Sequence, residues 1–181
     1  MIKKSLILFA VAVLSLSCSH KYVKPSAPSS PAGTADAYLD FALDFFKKTN
    51  QTVQYDENLV VSPYSAGVAL SMLAEGAEGE TRVEFDNALN GCIFKAEDLG
   101  SNDTVTVKSA NSVWVTDDFS IRNRYVALLE KDFDAFITTL NFGDPATVKA
   151  INNWCSENTH GKIDEILDRL SPGSVMVLIN D

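Results

Sequence analysis

NLVVSPYSAGVALSMLAEGAEGET, residues 58–81, holds more structural information than any other stretch of the chain. Leu59, Val60 and Val61 form a short apolar run between polar neighbours and read as a strand. Ser62 stands where a helix N-cap belongs, and Pro63 follows at the first helical position, where its missing N–H costs nothing. Val68, Leu70, Met72 and Leu73 then alternate with Ala66, Gly67, Ala69, Ser71 and Ala74. A helix this apolar on all sides belongs inside a protein, and its small residues let other backbone approach closely. The glycines of EGAEGE end it.

Outward from this helix the pattern is mixed. Upstream, Tyr38, Leu39, Phe41, Ala42, Phe45 and Phe46 recur at helical spacing from about Ala35, and Lys47 and Lys48 close the run. Downstream, Thr81 with Glu84 predicts a capping box for a helix ending at Asn90-Gly91. Val105, Val107, Val113 and Val115 predict one long strand. Ile121, Tyr125, Leu128, Leu129 and Phe133 make a helix face, and Phe136, Ile137 and Leu140 a strand. Asp144-Pro145 caps and starts a helix carrying Val148, Ile151 and Trp154, which NTHG ends. An apolar turn at Ile163, Ile166 and Leu167 leads through Ser171-Pro172-Gly173 to the strand VMVLIN. Strands and helices mix without regular βαβ alternation, so the fold class is α+β.

The first 34 residues have another character. Lys3 and Lys4 precede an apolar run from Leu6 to Leu16, far shorter than a membrane-spanning helix needs. Residues 1–17 therefore read as a secretory signal peptide. Leu14-Ser15-Leu16-Ser17-Cys18 resembles the lipobox of bacterial lipoproteins, with serine in place of the usual leucine three residues before the cysteine. That implies lipidation of Cys18, a bacterial origin and a secreted or membrane-anchored protein; the plainer alternative is simple cleavage. Residues 18–34, with Pro25, Pro28 and Pro31 among Ser, Ala and Gly, read as a tether, and residues 35–181 as the folded domain.

Charge and motif content narrow the function. The 181 residues carry a formal net charge of −9 and no long basic run, which argues against a nucleic-acid partner. No nucleotide-binding glycine motif, metalloprotease motif or nucleophile elbow occurs, and no cofactor or metal site is expected. A Ser-His-Asp hydrolase needs a histidine base; the histidines are His20, in the tether, and His160, in a helix-ending turn. No catalytic residue is assigned. Cys92 and Cys155 are either a disulfide or two buried thiols.

Four ordered segments resemble one family. Residues 58–81 resemble the strand and helix B of the serpins. VKSANSVWV, residues 107–115, resembles a strand of their sheet A. INNWCSENTHGKIDEIL, residues 151–167, resembles helix F and its exit, and SVMVLIN, residues 174–180, the start of the next sheet-A strand. The resemblance implies a serpin-like α+β fold, with the N-terminal helices and parts of sheets A and B. It implies an inhibitor of serine or cysteine proteases, not an enzyme, whose cleaved reactive loop inserts into sheet A. The shutter, where that sheet opens, maps to Ser62, Ser65 and Asn180; the local alternative is that Ser62 only caps the helix and Ser65 packs in its first turn. The reactive loop of serpins lies near the C-terminus, and this sequence stops at Asp181. It is expected to be an incomplete serpin domain with no reactive site, not inhibitory by itself. The alternative is a non-inhibitory secreted interaction protein of serpin-like fold.

Overall fold

The computed structural model describes residues 6–8, 10–15, 35–53, 58–96, 104, 107–171 and 173–181. Cys18, the tether, Val105 and Pro172 lie outside the described residues. In the leader, Leu6–Leu8 (β1) and Ala10–Ser15 (β2) have strand backbones. The described residues form two compact units divided between Lys95 and Ala96; β1 belongs to the first, and β2 from Val11 onward to the second. No helix among the described residues is long and apolar enough to cross a membrane.

The first unit is built on the helix of the opening stretch. Leu59–Val61 is β3, paired in parallel with β1, and Pro63–Gly76 is α2. Ser62 caps α2 as expected: the Ser65 N–H donates to its Oγ at 3.2 Å. Seven residues of α2 are buried, Ala66 to Ala69 in succession among them, as an all-round apolar helix requires. Ala35–Asn50 (α1) packs on α2 through buried Ala37 and Phe41, while Leu39, Leu43 and Phe46 stay exposed. Gly79–Ala88 (α3) corrects the expected capping box. Glu78 is extended and makes no side-chain cap, and Gly79, at φ +63°, turns the chain into helix two residues before Thr81. Arg82 then fastens α3 to the end of α2. Its guanidinium donates to Asp86 Oδ1 (2.8 Å) and to the Ala74 carbonyl (3.1 Å), and it pairs with Glu75 at 3.4 Å.

The second unit is a four-stranded sheet in the order β2-β6-β4-β5. Asn111–Thr116 is β4, Ala135–Leu140 is β5 and Ser174–Asn180 is β6. β4 pairs β5 in parallel, Asn111 opposite Ala135, and β6 antiparallel, Asn111 opposite Asn180. The ladder to β5 begins at Asn111, and on the β6 side Ala110 and Asp181 still exchange both backbone hydrogen bonds. The long strand expected from Val107 therefore shortens, and Val107–Ala110 carries no strand of its own. Asn123–Phe133 (α4) makes the crossover between β4 and β5, one βαβ unit inside the mixed arrangement. Pro145–Asn158 (α5) starts at Asp144, whose Oδ1 accepts from the Ala146 N–H (2.8 Å), and ends at His160 and Gly161, both at positive φ. Ile151 and Cys155 of α5 pack with Trp114, Val177, Ile179 and Leu167 in one apolar core. All six residues of β4 are buried, polar ones included, and β6, buried at all but Val175, reads as a near-continuous apolar run.

Candidate functional site

Ser62 and Ser65 lie in the first unit and Asn180 in the second, so each group is described within its own unit. Around the serines, the Ser62 hydroxyl donates to Ser65 Oγ at 3.1 Å while accepting from the Ser65 N–H. Ser62 is exposed and Ser65 half-buried. Ser62 is thus the N-cap of α2 and also bonds the Ser65 side chain, and the local reading of Ser62 as a cap holds whatever further role it has.

One turn further in, a polar residue carries more structure than its small size suggested. Buried Ser71 accepts from the Phe94 N–H at 3.0 Å. Residues 92–95 are thereby strapped to α2, helped by the hydroxyl of Tyr64, which donates to the Lys95 carbonyl at 3.0 Å. The Phe94 ring lies over Gly67 and is bounded by Tyr38, Phe41 and Tyr64, with centroids 4.8, 5.0 and 6.5 Å away. From the sequence Ser71 is one of several small residues of an apolar helix, and Phe94 belongs to no periodic pattern. The apolar helix around them offered no signal for a buried acceptor.

Asn180 is fully buried at the end of β6. Its Nδ2 donates to Asn111 Oδ1 (2.8 Å) and to Ser109 Oγ (3.0 Å), and Asn111 Nδ2 donates onward to the Phe133 carbonyl (2.7 Å). The two asparagines face each other across one rung of the ladder, so the amide contact follows from the register. Asn180 Oδ1 is buried and has no donor among the described residues. The partners Ser109 and Asn111 were missed in the sequence, although both lie in the quoted VKSANSVWV. Pairing register is not visible in one strand alone.

The remaining candidates separate cleanly. Cys92 and Cys155 are buried and not joined in a disulfide, which resolves the open alternative in favour of two buried thiols. Burial, and then the charge of Asp181, pushes the Cys155 thiol up to about 12. Burial also pushes the Asp181 carboxyl up from 3.8 to about 6. His160 is exposed, and the Lys108 ammonium lies 2.9 Å from its Nε2. Lysine only donates, so a neutral His160 keeps its proton on Nδ1 and has no nitrogen left to take a serine proton.

Similarity to known proteins agrees with this geometry. The family model described as Serpin (serine protease inhibitor) matches residues 36–181. An uncharacterized serpin-like protein of Methanosarcina acetivorans is 26% identical, over 92% of this chain and 44% of its own length. The plasma protease C1 inhibitor of Rattus norvegicus is 28% identical, over 84% of this chain and 31% of its own. Among solved structures, the thermophilic serpin tengpin in its latent state superposes with a TM-score of 0.70 and 32% identity, over 80% of this chain and 41% of that one. The chain spans less than half the length of the curated relatives it matches.

Proposed function

This chain belongs to the serpin family, and from that premise we propose that the whole protein inhibits a serine or cysteine protease by inserting its cleaved reactive loop into the sheet of β4, β5 and β6. The observation that supports the reading is the polar knot of Asn180, Asn111 and Ser109, set at one end of the buried strand pair β4–β6. Buried amides and hydroxyls exchange partners as strands part, whereas an unpaired backbone group there would cost ~1–3 kcal/mol. In the same reading Ser62 and Ser65, which hydrogen-bond each other in the first turn of α2, are the serines of the shutter.

Inhibition is proposed for the whole protein, of which these residues supply the first helices and strands. Its test is incubation of the whole protein with a panel of serine and cysteine proteases, followed by denaturing electrophoresis. An SDS-resistant complex is the expected result. Its absence across the panel favours the non-inhibitory, interaction-protein reading.

For the leader we propose export and lipid attachment at Cys18, placing the protein outside the cytoplasm of a bacterium. Labelled fatty acid fed to expressing cells should enter the protein and be lost in Cys18→Ala; equal labelling of the variant would refute it.

A further inference from the structure

Asn90-Gly91 is the one Asn-Gly pair among the 181 residues. Such a pair can modify itself, because glycine leaves the backbone nitrogen after the asparagine unhindered. That nitrogen gives its proton to solvent and attacks the side-chain carbon Cγ; ammonia leaves and a five-membered imide remains. Water then opens the imide at either carbonyl, giving aspartate or isoaspartate, with nothing oxidised or reduced. Here the pair closes α3. Asn90 and Gly91 both have left-handed backbone, at φ +53° and +73°. The Asn90 N–H donates to the Asn87 carbonyl at 3.2 Å and the Gly91 N–H to the Asp86 carbonyl at 2.7 Å, the two bonds of a Schellman turn. The attacking nitrogen is therefore held as a donor, aimed back at Asp86 and keeping its proton. Leu89 before the pair and Cys92 after it are fully buried, and the Cys92 N–H donates to the Leu89 carbonyl at 3.0 Å. The turn cannot open without drawing both side chains toward water.

We propose that Asn90-Gly91 is a conformation-gated modification site: closed while the turn at the end of α3 is formed, and converted to aspartate or isoaspartate when that turn opens. The two products act differently. Isoaspartate carries the chain through its side-chain carbon and adds one carbon to the backbone. The bonds from Gly91 to Asp86 and from Cys92 to Leu89 then no longer fit one spacing. Residues 92–95 follow at once, strapped to α2 by the Phe94 N–H on Ser71 Oγ and the Tyr64 hydroxyl on the Lys95 carbonyl. Isoaspartate at 90 therefore loosens the strap. Aspartate keeps the backbone length and adopts left-handed backbone as asparagine does, so the strap stays. It adds only a negative charge at the C-terminal end of α3. The inference goes beyond protease inhibition, and its readout needs no protease.

The test is incubation of the whole protein at mildly alkaline pH, with and without urea, and mass spectrometry of the peptide holding residues 90 and 91. Conversion should run at least about tenfold slower in the folded protein than in urea, because only the open fraction reacts. Arg82→Ala removes the bonds to Asp86 and the Ala74 carbonyl and the pair with Glu75, which fasten α3 to α2. It should raise the folded-state rate at least about threefold. Equal rates with and without urea, or an unchanged rate in Arg82→Ala, overturn the gate. If Arg82→Ala fails to fold, urea below the unfolding transition replaces it. The rate should then climb in step with hydrogen exchange of the Gly91 amide, and a rate that ignores that exchange refutes the gate. In the purified isoaspartyl product the Phe94 N–H should exchange at least about tenfold faster, while in Asn90→Asp it stays within about twofold of the unmodified protein. Equal Phe94 protection in all three refutes the loosening of the strap.

Discussion

Replacing Gly67 with alanine sets two known effects against each other. Inside a helix, alanine is favoured over glycine by about 1 kcal/mol, so propensity alone predicts a more stable chain. The structure predicts the reverse. A Cβ built on Gly67 would lie 2.7 Å from two atoms of the Phe94 ring and 2.8 Å from a third, well inside van der Waals contact. The ring cannot easily swing away. Its backbone N–H is bound to Ser71 Oγ, and Tyr38 and Phe41 crowd its edges. Overpacking of this kind costs up to about 3 kcal/mol, leaving a net loss of about 2 kcal/mol after the propensity gain. The assay is urea unfolding followed by circular dichroism, with hydrogen exchange in α2 as the local readout. A double-mutant cycle with Phe94→Leu isolates the clash: without the ring, Gly67→Ala should become neutral or stabilising, a coupling of at least about 1 kcal/mol. A Gly67→Ala chain as stable as the unmodified one, or additive in the cycle, would refute the reasoning.

Three further outcomes follow from single contacts. Ser62→Ala should cost about 1 kcal/mol and raise exchange in the first turn of α2, since the Ser65 N–H loses its acceptor; unchanged exchange there would assign the cap elsewhere. Asn152→Ala should cost about 2–4 kcal/mol by urea midpoint, because its side chain accepts from the Ile166 and Leu167 N–H groups and donates to the Leu167 carbonyl. A loss below about 0.5 kcal/mol would mean that water replaces the amide. Cys155, whose thiol is held to about 12, should resist alkylation at mildly alkaline pH until the chain is unfolded. Because the folded thiol ionises later than the ordinary value of 9.0, stability should decline as pH rises from there toward 12, and prompt labelling of the folded chain would contradict this.

Much of the fold was legible because its cues are local. Ser62-Pro63 and Asp144-Pro145 name their helix starts through cap chemistry, and both side chains make the predicted bonds. Asn90-Gly91 and His160-Gly161 name their ends through left-handed backbone. The errors came where a local cue competed with a non-local one. Thr81 and Glu84 have the spacing of a capping box, but Gly79 admits the turn earlier. Val107 has the alternation of a strand, but the ladder to β5 starts only at Asn111 and pairing toward β6 only at Ala110, and alternation cannot say where partners begin. The candidate site shows the same division. The serine cap was readable from its own four residues, whereas the Asn180–Asn111 amide contact joins residues 69 apart and depends on register.

β6 ends on Asn180 after five apolar residues and Asp181 follows it, and strand alternation sends the two to opposite faces. Their fates differ because of what each face offers. Asn180 meets Asn111 and Ser109 across the rung, groups that both donate and accept, so its amide joins a network that protons do not control. Asp181 lies on the Cys155 side, where burial pushes its carboxyl up to about 6. Exchanging the two side chains would therefore not be neutral. An aspartate at 180 would present a charge to Asn111 Oδ1, an acceptor, until that amide turned and gave up the Phe133 carbonyl. An asparagine at 181 would leave a buried amide beneath α5 without its hydrogen bonds. The order Asn-Asp thus places the amide network on one side of the strand and a carboxyl on the other.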